Sequence, residues 1–466
     1  MRQLFARLAA VAVILSTASC TGDGPDYIWF RAMHAMPDTP VVRVDVENYV
    51  FRRTLDFGAA TSEGGESLLE GSGTTARMTV EYFGPRNLIA GTLPELDVPV
   101  AIDAISTVIL AGNFDAPEPM VVVTPRRARP LGAMYFQFAH ATPALGALDV
   151  YVTAPDTDLA STAPIATIDP LDHSDSLEVP FGDLRIRLTT AGTLDVVMDS
   201  GELDFAEQTG PTGPGIEWLF AVAPSVVSGP SPVQLIGSSG RSSLQLNDAG
   251  TAATLRGYHA LAGVPAVDLV AATEPETTLL SGLEFAARSP LVPLPGEELE
   301  MEFRLTGQPE ETVASRTLPF VNGSEYALFL AGPPDAPEIL AVESRNRSIT
   351  PHARVRFAHL ASGSEYFSVF LTETEDEPPS PDNRVLIDVR YGQVLEHLAI
   401  EPGDYFVTFT SRIYEDSANA DSAEVTVVYG PEPLPLAGGD VFTYVIFAPE
   451  VEGEPEAITL FDDLQP

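Results

Sequence analysis

Four histidines recur along the chain, each near the end of a run of residues that reads as a β-strand. The four are His34, His140, His259 and His359. The intervals between them are 106, 119 and 100 residues. In three repeats an aspartate follows the histidine after a turn that contains proline, and these are Asp45, Asp149 and Asp268. A histidine and a carboxylate that meet could form an acid–base couple or part of a metal site.

The side-chain parity of these strands argues against such a couple. Successive side chains of a strand point to opposite faces of its sheet. His34 shares its face with Phe30 and Ala32, which predicts a place in the core. Asp45 lies between two valines, so its carboxylate is expected on the other, outward side. The sequence therefore favours a structural histidine, buried and hydrogen-bonded to the backbone of the turn.

Arginine stands three places before three of these histidines, as Arg31, Arg256 and Arg356. By parity Arg31 and Arg256 fall on the face opposite the histidine, the expected outward face. Asp45 and Asp268 are expected on the same side. We therefore predict a cross-strand Arg–Asp pair in these repeats, worth about 0.2–1 kcal/mol each. The second repeat has Gln137 at the arginine position, so the pair is not obligatory.

Other patterns that would indicate catalysis are missing from the sequence. It contains no His-Glu-x-x-His, no paired-cysteine zinc pattern, no P-loop and no Gly-x-Gly-x-x-Gly. One long loop of the second repeat is rich in aspartate, and carboxylates are ligands that Ca²⁺ prefers. The candidate calcium ligands are Asp156, Asp158, Asp169 and Asp172. The alternative is that these carboxylates are simply solvated, and the sequence predicts no other cofactor.

The elements that position these residues are strands. Leu299, Met301 and Phe303 alternate with charged residues, a pattern typical of an antiparallel sheet that is wet on one side. Each repeat has six or seven such strands and no convincing helix. We therefore predict an all-β chain of four tandem antiparallel β-sandwich domains of immunoglobulin-like type. The predicted domains are residues 27–125, 133–237, 252–343 and 353–461.

Arginine gathers at the junctions between repeats, as in residues 126–129 and 344–348. Two interpretations stay open at this point. These arginines either brace neighbouring acidic domains or are solvated linker residues.

The repeats share a set of motifs: Arg-x-x-His-Ala, a turn, Val-Asp-Val-Tyr-Val, a Pro-Gly turn and a closing Tyr-x-x-x-Leu-Ala-Gly. As a set these motifs resemble the domain of unknown function 4397, which occurs in tandem in bacterial exported and lipid-anchored proteins. The resemblance spans nearly all of residues 27–461. The chain departs from the pattern at Gln137, Leu360 and Ser368. The resemblance implies a fold and an exported location, and it implies no activity.

The N-terminus has the features of an export signal. Two arginines precede an apolar core at residues 8–15, which is too short for a membrane span of about 20 residues. Small residues then precede Cys20, the single cysteine of the chain. This arrangement resembles the bacterial lipobox. We therefore predict a signal peptide over residues 1–19, lipidation of Cys20 and a short tether over residues 20–26.

The lipid would anchor the protein to a membrane. Thr21 after the cysteine favours the outer membrane, by resemblance to Gram-negative lipoproteins. The alternative is an ordinary signal peptide and a secreted protein with a free thiol.

The charge of the chain limits its partners. The formal net charge is −41, and all 25 basic residues are arginine. Such a surface repels phosphate backbones, so we predict no binding of nucleic acid. The sequence favours a non-enzymatic, lipid-anchored protein of the cell envelope, a structural or adhesive array that contacts an envelope protein or a glycan. The alternatives are an array of carbohydrate-binding modules with exposed aromatic platforms, and a secreted enzyme with a concave pocket.

Overall fold

The computed structural model describes residues 26–67, 74–126, 129–205, 215–364, 366–412, 425–449 and 457–464. The regular structure of these residues is β-strand, apart from two 3₁₀ turns at Pro85–Asn87 and Leu159–Ser161. The strands form sheets that pack in twos, so the predicted all-β sandwich fold is confirmed.

The first two sandwiches follow the chain from residue 27 to residue 246. The strands of the first are β1 Tyr27–His34, β2 Val42–Val46, β3 Arg52–Leu55, β4 Gly64–Ser67, β5 Thr75–Phe83, β6 Ile89–Thr92, β7 Leu96–Pro99, β8 Ala104–Leu110, β9 Gly112–Asn113, β10 Ala116–Pro117 and β11 Met120–Pro125. Those of the second are β12 Met134–His140, β13 Leu148–Thr153, β14 Ala166–Ile168, β15 Leu177–Val179, β16 Asp183–Thr190, β17 Val196–Asp204, β18 Ile216–Pro224, β19 Val233–Ser238 and β20 Ser243–Leu246.

The third and fourth sandwiches follow the same plan. The strands of the third are β21 Thr254–His259, β22 Val267–Ala271, β23 Thr277–Leu283, β24 Val292–Pro293, β25 Glu298–Leu305, β26 Thr312–Pro319, β27 Glu325–Ala331 and β28 Glu338–Ser344. Those of the fourth are β29 Ala353–Leu360, β30 Tyr366–Thr372, β31 Arg384–Arg390, β32 Leu398–Ile400, β33 Gly403–Arg412, β34 Val425–Leu436, β35 Val441–Phe447 and β36 Ala457–Asp462.

Each sandwich has one sheet that contains the recurring histidine, here called the histidine sheet, and one opposite sheet. The histidine sheets have the orders β11-β8-β1-β4, β15-β12-β18-β19-β20, β24-β21-β27-β28 and β32-β29-β35-β36. The opposite sheets have the orders β3-β2-β5-β6 (with β7 also on β5), β14-β13-β16-β17, β23-β22-β25-β26 and β31-β30-β33-β34. In every histidine sheet the histidine strand runs parallel to one neighbour, namely β1 to β8, β12 to β18, β21 to β27 and β29 to β35.

The opposite sheets are wet on one side, as the alternation predicts. In β25 the side chains of Leu299, Met301 and Phe303 are buried. Glu298 and Glu300, which alternate with them along the strand, are exposed. The apolar faces of the two sheets of each sandwich meet in one hydrophobic core. Burial of these side chains at about 25 cal/mol per Å² is the main stabilising contribution in each sandwich.

The histidine sheets, in contrast, are buried on both faces. All seven residues of β8 are buried, although only every second one points into its own core. The outer face of the first histidine sheet packs against that of the second, around small residues such as Ala35, Ala139 and Ala221. The third and fourth sheets pack in the same way around Phe329 and Phe447. We call these arrangements the first pair and the second pair.

The two pairs are joined by the segment that precedes the fourth sandwich. The guanidinium of Arg347 donates to the carbonyl oxygens of Pro37 (2.8 Å) and Thr39 (2.7 Å) in the first sandwich and lies 3.0 Å from the Asp56 carboxylate. Thr350 adds a backbone and a side-chain bond to Asp38. Of the two interpretations of the junction arginines, the bracing one is therefore correct for Arg347.

Candidate functional site

The recurring histidine holds the turn that links the two sheets of its sandwich. His34 is fully buried; its Nδ1 accepts the Met36 N–H at 3.3 Å, and its Nε2 lies 3.1 Å from the Pro40 carbonyl oxygen. Because Nδ1 accepts, Nε2 must carry the proton and donate it. The equivalent partners are Thr142 and Gly146 for His140, and Leu261 and Pro265 for His259. This is the buried, turn-bonded imidazole that strand parity predicts.

The fourth histidine differs in its surroundings. His359 is also fully buried, and its ring meets the ring of Phe367 edge-on at 4.6 Å. The ring centroid of Tyr391 lies 6.2 Å from that of His359, also in an edge-on arrangement. In this repeat the imidazole packs against aromatic rings.

Burial favours the neutral form of the imidazoles of His34, His140 and His259. Desolvation lowers the pKa of His34 to about 4, against the opposing effect of its bond to the Pro40 carbonyl. The same cause lowers the pKa of His140 and of His259. An imidazole that stays neutral, with both nitrogens bonded to backbone, is placed to stabilise the turn.

We expect the free energy of unfolding to decrease as the pH falls from 6.5 towards 4. In this window the unfolded chain protonates histidines that the fold keeps neutral, chiefly His34 and His397, whose folded pKa values are both about 4. The contribution is fully present above pH 6.5 and is lost on acidification. Glu325, whose pKa is raised by burial, acts in the opposite direction. Urea unfolding across this range measures the slope, and a flat profile would contradict the assignment.

The recurring aspartates lie in the opposite sheets and form their hydrogen bonds and ion pairs there. Asp149 accepts the Gly192 N–H at 2.7 Å, and Asp268 accepts the Gly282 N–H at 2.8 Å. Asp149 therefore fixes the turn that follows β16, and Asp268 holds a positive-φ glycine within β23. Asp45 instead pairs with Arg52 on the adjacent strand.

The predicted cross-strand pair between the recurring arginine and aspartate is wrong. Arg31 lies in β1 and Asp45 in β2, and these strands belong to different sheets of the sandwich. Arg256 and Asp268 are separated in the same way, in β21 and β22. The outward face of the arginine strand is the face that packs on the neighbouring domain, so both arginines are buried there.

The residue at the recurring arginine position forms a hydrogen bond to the other sandwich of its pair. In the first pair Arg31 donates through Nε to Thr107 Oγ1 (3.0 Å) and through Nη1 to the carbonyl oxygen of Ser238 in the second sandwich (3.1 Å). The reciprocal bond runs from Thr124 Oγ1 in the first sandwich to Gln137 Oε1 in the second, at 2.9 Å. Arg31 in β1 thus contacts the end of β19, and Gln137 in β12 contacts the end of β11.

The second pair repeats this reciprocal pattern. Arg256 Nη2 donates to the carbonyl oxygen of Asp463, just after β36, at 3.2 Å. Arg356 Nη1 donates to Ser344 Oγ, at the end of β28, at 2.8 Å. The two domains of each pair are therefore related by an approximate two-fold arrangement, in which the same positions meet on both sides.

Asp463 is the centre of a buried charged cluster in the second pair. Its carboxylate is 3.6 Å from Arg288 Nη1, 4.0 Å from Arg356 Nε and 3.4 Å from His397 Nε2. Burial alone would raise the pKa of Asp463, but the hydrogen bonds from His397 and Thr443 and the charge of Arg356 outweigh it and lower the pKa. The carboxylate of Asp463 is thus ionised and lies beside the guanidinium groups of Arg288 and Arg356.

At the corresponding end of the first pair lies an open cleft of about 750 Å³. We call it the arginine cleft, because four arginines line it: Arg31, Arg126, Arg129 and Arg241. Two carboxylates, Glu63 and Glu217, also line it. Serine, threonine and glutamine side chains supply neutral polar groups: Thr124, Gln137, Ser239, Ser242 and Ser243.

The four arginines are engaged to different degrees. Arg129 forms a tight ion pair with Glu217, at 2.6 Å. Arg126 is 3.5 Å from Glu63, and its guanidinium lies over the Trp29 ring at 4.3 Å. Arg241, at the tip of a turn, is exposed and forms no ion pair or hydrogen bond with any residue that the structure describes.

The candidate calcium ligands do not come together. Asp158 accepts the Ala160 N–H at the start of a 3₁₀ turn, and Asp172 accepts the His173 N–H, while Asp156 and Asp169 point to solvent as exposed residues. Within the described part of the chain, no three His, Cys, Asp or Glu side chains are grouped as a metal site.

Two further sequence expectations concern the tryptophans and the N-terminus. Trp218 is fully buried in the second core, so it is no sugar platform, and Trp29 is half-buried beneath Arg126. Cys20 and the predicted signal peptide lie outside the described residues. Among the residues that are described, no helix has the length and apolarity to span a bilayer.

Residues 253–370 match the model of the family described as a domain of unknown function, DUF4397. The match begins just before β21 and ends within β30, so it includes His259, Asp268 and the whole third sandwich. The predicted resemblance to DUF4397 is confirmed for this segment, and for the other repeats it stays a prediction.

No curated protein matches the sequence. Among solved structures, the TIE protein of Bacillus anthracis is 8% identical, with a TM-score of 0.15; the alignment covers 91% of this chain and 68% of that chain. A product complex of SpuA, a multi-modular glycogen-degrading pneumococcal virulence factor, is 9% identical, with a TM-score of 0.14; here the alignment covers 71% of this chain and 43% of that chain.

Proposed function

We propose that the protein is a non-enzymatic, lipid-anchored protein of the bacterial cell envelope, in which the sandwiches form a structural or adhesive array. The observation that carries this proposal is the structural role of the side chains in the recurring motif. Its histidines and aspartates fix turns, and its arginine position joins domains across a buried interface. These side chains stabilise an assembly of domains, and what the assembly presents to a partner is its loops and its cleft.

The anchor in this proposal is Cys20. A chain of acidic domains is repelled by anionic headgroups, so lipid rather than protein surface would hold it at the membrane. We place it in the outer membrane on account of Thr21. The role requires no cofactor, and its partners would be an envelope protein or a glycan.

The anchor is tested by the intact mass and detergent partitioning of the mature protein, beside a Cys20→Ala variant. We expect the mature chain to begin at Cys20, to carry the mass of a diacylglyceryl group and to partition into detergent. The variant should lose both the added mass and the partitioning. An unmodified chain that begins near Thr21 and is found in the medium would overturn the anchored role.

A further inference from the structure

We infer that the arginine cleft of the first pair binds the carboxylate of a sugar acid. The inference rests on the proposed role as a binding array and names the ligand class of one of its sites. It begins from a comparison between the two pairs, which place different groups at equivalent positions.

The second pair shows which ligand chemistry an equivalent site accepts. Arg256 bonds the backbone carbonyl of Asp463 just as Arg31 bonds that of Ser238, so these two residues occupy equivalent places. In the second pair the chain's own carboxylate, on Asp463, lies among the arginines. In the first pair Ser238 and Gln137 stand where Asp463 and Arg356 stand in the second, and beside them lies the open arginine cleft. The chain places no Asp463-like carboxylate among the arginines of this cleft, and a ligand carboxylate would supply one.

The charges that line the cleft favour a negatively charged ligand. Four arginines and two glutamates leave an excess of positive charge, in a chain whose formal net charge is −41. Arg31 is the deepest of the four, and burial lowers its pKa to about 10. Two of its nitrogens are bonded to protein, and its Nη2 has no acceptor among the described residues. Guanidinium groups bind carboxylates with paired hydrogen bonds.

The neutral groups of the cleft favour a sugar as the body of the ligand. Ser239, Ser242 and Ser243 lie beside Arg241 in the second sandwich, with Gln137 in the same sandwich and Thr124 across the domain boundary. Hydroxyl and amide groups of this kind match the hydroxyls of a saccharide. A volume of about 750 Å³ is in the usual range for a small-ligand site. A polyacidic peptide would carry a longer run of negative charge, which a chain of formal net charge −41 repels.

The test is a titration of the purified full chain in detergent with digalacturonate, followed by calorimetry. We expect saturable 1:1 binding, and no binding of a neutral disaccharide of the same size. The Arg241→Ser variant should bind about tenfold or more weakly, because Arg241 has no structural partner whose loss would disturb the fold. The matched control is Arg384→Ser, which removes an exposed arginine from the fourth sandwich and should leave the affinity unchanged.

A second variant fills the cleft from within. Ser239 accepts the Ser242 N–H at 3.1 Å, a bond that an aspartate can also accept, so Ser239→Asp is compatible with the turn. Because Ser239 lines the cleft, we expect the new carboxylate to compete for the arginines and to abolish binding of digalacturonate.

Three outcomes would overturn the inference. They are no binding of digalacturonate, equal binding by sulfate, and tighter binding of a Glu-Glu dipeptide than of the sugar acid. An affinity that survives both Arg241→Ser and Ser239→Asp would place any binding elsewhere. Because the titration uses detergent-solubilised protein, its result does not depend on whether Cys20 is lipidated, so failure of the inference and failure of the anchored role are distinguishable.

Discussion

Replacing Asp463 by alanine is expected to destabilise the second pair by about 3–5 kcal/mol. The carboxylate is fully buried and faces Arg288, Arg356 and His397. Without it Arg288 and Arg356 lose the carboxylate that lies 3.6 and 4.0 Å from them, and removing one partner of a buried ion pair costs more than the original pair contributed. Urea unfolding of the full chain measures the change, with hydrogen exchange in β21 and β29 to locate it.

Asp462→Ala is the matched control for this experiment. It removes a half-buried carboxylate one residue away, whose Oδ1 accepts the Leu464 N–H at 3.0 Å, a bond within the same turn. We expect it to cost less than about 1 kcal/mol. If Asp463→Ala proved no worse than Asp462→Ala, the charged cluster would not be what holds the third and fourth sandwiches together.

Replacing Ala221 by aspartate is expected to separate the first two sandwiches. Ala221 is fully buried between the two histidine sheets, among alanines and other apolar residues. A carboxylate placed there without a partner would cost several kcal/mol, whereas opening the interface returns it to water. The expected result is an expanded first pair with both sandwich cores intact. Small-angle scattering would show the larger radius of gyration, and limited proteolysis would show newly accessible strands.

The control for this change is Ala163→Asp, the same substitution at an exposed position of the same sandwich. It should leave the scattering curve and the proteolysis pattern unchanged. An Ala221→Asp chain that stays as compact as the parent, with unaltered stability, would show that the buried interface is not a tight one. Complete unfolding would show that the second sandwich does not survive without its partner.

The sandwich fold could be predicted because its signals are local. Alternation in β25 identifies a sheet with one wet face, and the same parity places His34 in the core. The burial of Arg31 at the interface between two sandwiches could not be predicted in this way. Parity shows that it points away from its own core, but whether water or another domain lies there depends on contacts distant in sequence.

One signal of the pairing is nevertheless present in the sequence. The run Ile105–Leu110 in β8 is apolar or small on both faces, which is typical of a strand that is covered on both sides. The arginine cleft has a weaker signal. Its arginines gather near two junctions, but Glu217 and Arg31 reach it only because the two histidine sheets pack face to face. No local pattern brings those positions together.

The burial of each histidine sheet by a neighbour constrains how such a chain can change in copy number. A chain that gained or lost a single repeat would leave one outer face, lined by residues such as Phe329 or Leu219, open to water. Exposed apolar sheet of that kind promotes aggregation. Duplication and deletion are therefore tolerated best in units of two repeats. The unit that can be gained or lost without exposing an apolar face is the pair, not the single sandwich.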